Sequence, residues 1–176
     1  MPKFLNDDIL KQVREVFDAQ LKQPVEVLFF GSTNEEDCAY CTDTRQLMEE
    51  VVAISDRLHL SVYDIEKDAQ TAQTYHVDKT PTLVIAGRGV NGSSAGETAD
   101  VDAHQAVFCT AAYRTVHPVV DYGVRFAGLP SGHEFSSLIH SLILVSGRDS
   151  GLNPQTRQFL RELTKPICLQ VFVTPT

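Results

Sequence analysis

The sequence predicts an α/β fold in which helices cover a central sheet. Two observations favour this class. Short apolar runs, typical of buried strands, alternate along the chain with segments whose apolar residues recur at helical spacing. In addition, a Cys-x-x-Cys pair, Cys38 and Cys41, follows the first apolar run at the point where a helical pattern begins. We therefore expect the fold to present two thiols between a strand and a helix.

The first half of the chain predicts the order helix, strand, helix, strand, helix. An amphipathic helix is expected over residues 6–22, with Asn6 as its N-cap. Val25–Phe30 is a nearly continuous apolar run, as in a strand buried on both faces. After the helix that the cysteines open, a strand is expected over 59–65 and a short polar helix over 67–75. Strands joined by helices usually lie parallel, so this order implies a parallel sheet.

The second half begins at Pro81, which stands just before an apolar run and therefore marks the start of a strand or a special turn. Residues 122–128 alternate in the manner of another strand. Ser131 and Glu134 then stand at the spacing of a capping box, which predicts the start of a helix over 132–146.

The segment between these two strands, residues 87–120, is rich in glycine and serine and then becomes acidic. Such a composition cannot bury a core, so we interpret the segment as a flexible surface insertion. The alternative is a lid that contacts a substrate near Pro81.

The last part of the chain predicts one more helix and one more strand. Asn153 is a suitable N-cap, Pro154 suits the first helical position, and Leu160 is expected to face inward. An apolar strand is predicted over Ile167–Val173. If nothing covers this strand, it presents an unpaired edge to other chains.

Charge and composition exclude several classes of partner. The chain has 176 residues and a formal net charge of −8, which argues against a nucleic-acid or anionic-membrane surface. The N-terminus lacks the apolar core of a signal peptide, and the apolar runs are too short to span a bilayer. We therefore expect a cytoplasmic protein, in which a close cysteine pair is catalytic or metal-binding rather than structural.

The Cys38/Cys41 spacing suits thiol–disulfide exchange. A helix N-terminus favours the thiolate that attacks, and a second cysteine one turn along can attack the resulting mixed disulfide. Three acidic residues at 35–37 oppose thiolate formation, and Asp37 could instead be the helix N-cap. The sequence leaves open whether the helix N-terminus, which promotes the thiolate, or the acidic run, which opposes it, has the larger effect.

Two other interpretations of the pair stay open: half of a zinc site, or inert cysteines. Structural zinc is normally enclosed by a full set of protein ligands, and the further candidates are Cys109, Cys168 and His104. We expect Cys109 and Cys168 to be buried structural thiols, because free cysteines commonly behave as small hydrophobes.

Four stretches together resemble the glutaredoxin-like protein disulfide oxidoreductases, which carry two thioredoxin-fold units in tandem. They are Phe29-Phe30, Cys38-Ala39-Tyr40-Cys41, Lys79-Thr80-Pro81-Thr82 and Tyr122–Phe135. The resemblance implies a thioredoxin/glutaredoxin-like fold, with a mixed sheet flanked by helices and a long insertion after the strand that follows Pro81. It also implies one thioredoxin-like unit over residues 1–150, followed over 151–176 by a linker helix and the first strand of an incomplete second unit.

The resemblance further implies that Cys38 is the attacking thiol, Cys41 the resolving thiol and Pro81 a cis-proline that faces the disulfide. Tyr40, Thr80 and Pro81 are the expected substrate-binding residues, since backbone beside the proline pairs with the substrate chain in this family. Ala39 departs from the glutaredoxin pattern, which has proline there. No metal and no cofactor are expected.

The function expected from the sequence is that of an enzyme, a dithiol–disulfide oxidoreductase acting on protein disulfides and regenerated by an unidentified reductant. The glutathione-binding elements of glutaredoxins are not evident, which favours protein substrates. One alternative is a non-catalytic interaction module whose terminal strand pairs with another chain. A second copy of this chain, joined through the same strand, is among the expected partners. The other alternative is a zinc-binding protein.

Overall fold

A computed structural model of the chain describes residues 4–34, 36, 38–89 and 119–172. Its helices and strands follow the predicted order, apart from the strand expected at Ile167. In chain order they are α1 (Asp7–Gln20), β1 (Val25–Gly31), α2 (Cys41–Val52), β2 (Leu58–Asp64), α3 (Ala69–Thr74), β3 (Thr82–Arg88), β4 (Val119–Ala127), α4 (His133–Gly147) and α5 (Pro154–Arg161). None of the helices within these ranges is both long and apolar enough to cross a membrane.

The four strands form one mixed sheet in the order β2-β1-β3-β4. β1 runs parallel to β2, while β3 is antiparallel to both β1 and β4. The mixed sheet is confirmed. The parallel arrangement inferred from the first five elements holds only for the pair β1 and β2, because β3 returns on the other side of β1 in the opposite direction.

β1 is buried along its whole length, as expected, and its alternate side chains enter two different cores. On one face, Val25, Val27 and Phe29 pack with buried side chains of α1, α2 and α4. On the other face, Leu28 and Phe30 pack with the smaller group Ala72, Val77, Val84 and Ala86. This central position fixes the end of β1, and therefore the start of the loop that carries the cysteines.

The N-cap prediction is confirmed for α1 and wrong for α4. Asn6 Oδ1 accepts a hydrogen bond from the Ile9 N–H at 2.8 Å. At α4 the N-cap is Gly132, with φ 56° and no side-chain cap, and the helix begins at His133. Glycine permits this positive φ and so shifts the cap one residue beyond Ser131. Glu134 then stands too early in the helix to complete a capping box.

The terminal helix is confirmed, but the strand predicted after it is not observed. Asn153 Oδ1 accepts from the Thr156 N–H at 2.8 Å, and Pro154 takes the first helical position. Leu160, expected to face inward, is 47% exposed.

Residues 166–172 form no strand, and Val173 lies outside the described residues. An apolar segment becomes a strand only where another strand pairs with its backbone, and sequence periodicity does not reveal that partner. Cys168, expected to be buried, is exposed. The division into one unit and part of a second stays a prediction. Within the expected insertion, residues 90–118, which include His104 and Cys109, lie outside the described ranges.

Candidate active site

Cys38 and Cys41 are joined by a disulfide between the end of β1 and the start of α2. The S–S distance is 2.02 Å and the two Cα atoms lie 5.4 Å apart. Both residues are largely buried, with 6% and 8% of their surfaces exposed. The helix begins at Cys41, so Cys38 lies in the turn before it, where its carbonyl accepts from the Cys41 N–H at 3.3 Å. The N-cap is Tyr40, and Asp37 lies outside the described residues.

The sulfur of Cys41 lies directly against the end of β1. The Ser32 N–H points at Cys41 Sγ with an N–S distance of 3.3 Å. A Cβ atom at Gly31 would come within 3.1 Å of the same sulfur and within 2.8 Å of the Phe29 ring. Glycine is therefore required where the strand passes the disulfide. The Ser32 N–H favours negative charge on Cys41 whenever that sulfur is a thiolate.

The Thr80–Pro81 peptide bond is cis and stands next to the same strand end. Thr82 pairs with Phe30 across the antiparallel β1–β3 ladder, so Pro81 continues the register opposite Gly31. The Pro81 carbonyl accepts from the Gly128 N–H at 2.8 Å, which ties the turn to the end of β4. Within the described residues, the backbone N–H and carbonyl of Thr80 make no hydrogen bond.

Tyr40 presents a large side chain between the two cysteines. It is 57% exposed, whereas the cysteines on either side are buried. Tyr40 is the N-cap of α2, and Pro81 falls opposite Gly31, whose position lies against the Cys41 sulfur. The exposed Tyr40 and the cis-proline turn therefore belong to the two elements on either side of the disulfide.

Asp64, at the end of β2, holds the loop between β1 and the cysteines. Its carboxylate accepts hydrogen bonds from the N–H groups of Thr33 at 3.0 Å, Lys67 at 3.0 Å and Glu66 at 3.1 Å. These bonds, the one from the Lys67 backbone first, lower the pKa of Asp64 from its usual 3.8 to about 2. The ionised carboxylate of Asp64 therefore helps to hold the loop that leads to the cysteines.

Asp64→Asn is expected to lower the thermal unfolding midpoint at neutral pH, because the amide cannot accept all of these N–H bonds. The folded pKa lies below the unfolded one, so the stabilisation by Asp64 is fully present above pH 3.8 and is lost as the pH falls through about 2. The difference in midpoint between the wild type and the variant should therefore narrow from pH 5 to pH 2. A difference in midpoint that stays the same from pH 5 to pH 2 would contradict the stabilising role of the ionised Asp64 carboxylate. Asp78→Asn is the control, since its carboxylate is 81% exposed and pairs with Lys79 at 3.6 Å.

Asp64, Gly31 and Ser32 were not identified as site residues from the sequence. The signal that was available for Asp64 is its place at the carboxyl end of a strand expected to run parallel to β1. The carboxyl ends of parallel strands meet at one sheet edge, so a polar residue there lies close to whatever follows β1.

No metal site is formed by the residues that the structure describes: they contain no group of three or more histidine, cysteine or acidic side chains placed to hold an ion. Of the zinc-ligand candidates besides the pair itself, Cys168 is exposed at the end of the described chain.

Part of the chain is similar to known proteins. A family model described as a thioredoxin domain matches residues 25–107. Over 36 residues the chain is 53% identical to the F subunit of alkyl hydroperoxide reductase from Pseudomonas aeruginosa, a match that covers 20% of this chain and 7% of that protein. It is 31% identical over 85 residues to the corresponding protein of Staphylococcus epidermidis, covering 46% of this chain and 17% of that protein.

Solved structures share the architecture. A protein disulfide oxidoreductase from Aeropyrum pernix superimposes with a TM-score of 0.64 at 25% identity, over 90% of this chain and 55% of that one. An N-terminal domain of alkylhydroperoxide reductase from Enterococcus faecalis gives 0.62 at 18% identity, over 88% of this chain and 59% of that one. This chain spans less than a fifth of the curated relatives and little more than half of the solved structures.

Proposed function

Because this chain carries a thioredoxin-fold domain with a CxxC redox pair, we propose that it is an oxidoreductase whose substrates are protein disulfides. The observation that carries the proposal is that the Cys41 sulfur lies against Gly31 at the end of β1, where the strand register sets cis-Pro81 opposite Gly31. In this position the pair can exchange with a disulfide in an extended chain.

The exchange proceeds in two balanced steps. The Cys38 thiolate attacks one sulfur of the substrate disulfide, a Cys38–substrate bond forms, and the other substrate sulfur leaves as a thiolate. The Cys41 thiolate then attacks Cys38 Sγ, the Cys38–Cys41 bond forms, and the second substrate thiolate is released. The substrate is reduced by two electrons and the pair is oxidised. An external dithiol reductant returns the pair to its thiol form.

Exposure does not distinguish the two cysteines, at 6% and 8%, whereas their backbone surroundings do. Cys41 is the first residue of α2, and its sulfur is enclosed by the Gly31–Ser32 backbone. Cys38 lies ahead of the helix, in the loop that leads to the exposed Tyr40. We therefore assign the first attack to Cys38 and the resolving step to Cys41.

A protein substrate fits the backbone at the cis-proline turn. The Thr80 N–H and carbonyl have no partner within the described residues, so one donor and one acceptor are available beside Pro81. An extended substrate can satisfy both by strand-like pairing, and main-chain pairing of this kind depends little on substrate sequence.

The proposal is tested by trapping the mixed disulfide. Cys41→Ser lacks the resolving thiol, so after incubation with insulin we expect a disulfide adduct on Cys38, located by peptide mass analysis. The experiment is done in a Cys168→Ser background, because Cys168 is an exposed free thiol. Cys38→Ser in the same background should form no such adduct. Absence of a Cys38 adduct with insulin would overturn the proposal.

The non-catalytic interaction module, with self-association through the terminal segment, stays a prediction. Its supporting observation is the exposure of four apolar residues near the end of the chain: Ile167, Leu169, Val171 and Phe172. The trapping experiment separates the two functions, since a non-catalytic module yields no adduct on Cys38.

A further inference from the structure

Thr44 is a buried hydroxyl residue with no hydrogen-bond partner, one turn beyond Cys41. It is 0% exposed, and its Oγ1 has no donor or acceptor among the described residues. Its backbone is ordinary helix, with the Thr44 N–H donating to the Tyr40 carbonyl at 2.9 Å. A threonine inside a helix usually bonds its hydroxyl to the carbonyl three or four residues back, and Thr44 makes no such bond. The unsatisfied hydroxyl therefore requires an explanation.

The helix places Thr44 on the same buried face as Cys41, one turn further along. Residues three apart on a helix are neighbours on one face, and both Cys41 and Thr44 belong to the buried face of α2. Helical side chains lean toward the N-terminus, so the side chain of Thr44 lies over the turn that holds Cys41. An unused O–H donor thus stands one helical turn from the residue whose sulfur changes charge during the proposed exchange, and in the disulfide it does not bond that sulfur.

The redox state of the pair decides whether that donor has an acceptor. In the disulfide, the Cys41 sulfur is neutral and a weak acceptor, and the S–S bond holds it outside hydrogen-bond geometry with Thr44. When the S–S bond opens, Cys41 becomes a thiol or a thiolate in a site with only 8% exposure. Burial disfavours a charged sulfur, whereas each donor directed at it compensates. The Ser32 N–H provides one such donor at 3.3 Å.

We propose that the Thr44 hydroxyl provides a second donor, which binds the Cys41 sulfur once the disulfide is opened. The inference rests on the proposed function, because it concerns the resolving thiolate of that reaction. Thr44 keeps its proton throughout. When the Cys41 thiolate attacks Cys38 Sγ, the new S–S bond removes its negative charge, and the Thr44 bond is released as the substrate thiolate leaves.

The consequence is a shift of the thiol–disulfide equilibrium toward the reduced pair. The hydroxyl stabilises the reduced protein but has no partner in the oxidised one, so its removal should penalise only the reduced state. A hydrogen bond to a charged group is strong enough to change this equilibrium by about tenfold. A purely structural threonine would affect both redox states alike and leave the equilibrium unchanged.

The test compares the equilibrium of the pair with dithiothreitol in four variants. Thr44→Val and Thr44→Ala lack the hydroxyl and differ in volume, whereas Thr44→Ser keeps it. We expect Val and Ala to shift the equilibrium toward the disulfide by about tenfold, and Ser to stay near the wild type. Thr42→Val, at an exposed position of the same helix, is the matched control and should leave the equilibrium unchanged.

A second readout is the pH dependence of Cys41 alkylation in a Cys38→Ser background. There the Val and Ala variants should need a higher pH for the same rate. The inference is overturned if Val, Ala and Ser all match the wild type, or if Ser shifts as far as Ala. A wild-type pair that dithiothreitol cannot reduce would instead overturn the proposed function. The two failures are therefore distinguishable.

Discussion

Cys38→Ser is expected to abolish the reduction of insulin, leaving only the rate observed with dithiothreitol alone. The attacking species is a thiolate, and a serine hydroxyl is not ionised at neutral pH and cannot form the mixed disulfide. Cys41→Ser should also lose turnover, but for a different reason: its first step still occurs and the protein remains linked to substrate. Both variants should therefore lose turnover, but only Cys41→Ser should accumulate a mixed disulfide with the substrate.

Insulin turbidity measures the steady-state part of this prediction. Cys168→Ser is the matched control, because it removes an exposed thiol from the part of the chain beyond α5 and should retain full activity. If Cys38→Ser keeps more than a trace of the wild-type rate, Cys38 is not the thiol that reduces insulin. If Cys168→Ser loses the activity instead, the exposed thiol is the reactive one.

The features of the fold that were predictable from sequence are those that local patterns determine. β1 is an apolar run buried on both faces, and its two neighbours across the sheet begin near the expected residues. The Cys38–Cys41 pair could be located as well, since its spacing and its place between a strand and a helix are both visible in the sequence. Each of these depends on residues close together in the chain.

The predictions that failed depended on contacts or conformations that the sequence does not display. The strand expected from Ile167 lacks an observed neighbour, and its apolar side chains are exposed instead. The capping box at Ser131 depended on the conformation of Gly132, whose positive φ moved the start of α4. Asp64 accepts a hydrogen bond from Thr33, although the two residues are 31 positions apart in the sequence. Only the parallel pairing of β1 and β2 brings them together.

Glu26 is the only charged residue within the apolar run of β1, and its buried carboxylate is paired with Arg88. Only 7% of its surface is exposed. Its carboxylate accepts from Ser61 Oγ at 2.6 Å and from Arg88 at 3.2 Å, with the Arg88 side chain only 20% exposed. The three residues lie on β1, β2 and β3, so the ion pair and the Ser61 hydrogen bond join three neighbouring strands on the face that carries Leu28 and Phe30.

Arg88→Met is expected to lower the free energy of unfolding by about 3 kcal/mol, because it leaves the Glu26 charge buried without its cation. Urea unfolding of the oxidised protein measures the change. Arg45→Met is the matched control: Arg45 pairs with Glu49 at 2.8 Å, but both side chains are more than half exposed. Losing that exposed pair should cost less than about 1 kcal/mol.

The double variant Glu26→Gln/Arg88→Met separates the penalty of a stranded charge from the net value of the pair. With the carboxylate neutralised, methionine no longer leaves a buried ion, so the double variant should be more stable than Arg88→Met alone. Equal losses in the free energy of unfolding from Arg88→Met and Arg45→Met would contradict the view that Arg88 neutralises a buried charge. A double variant that is still less stable than the wild type would show that the attraction between the two charges outweighs the cost of burying them.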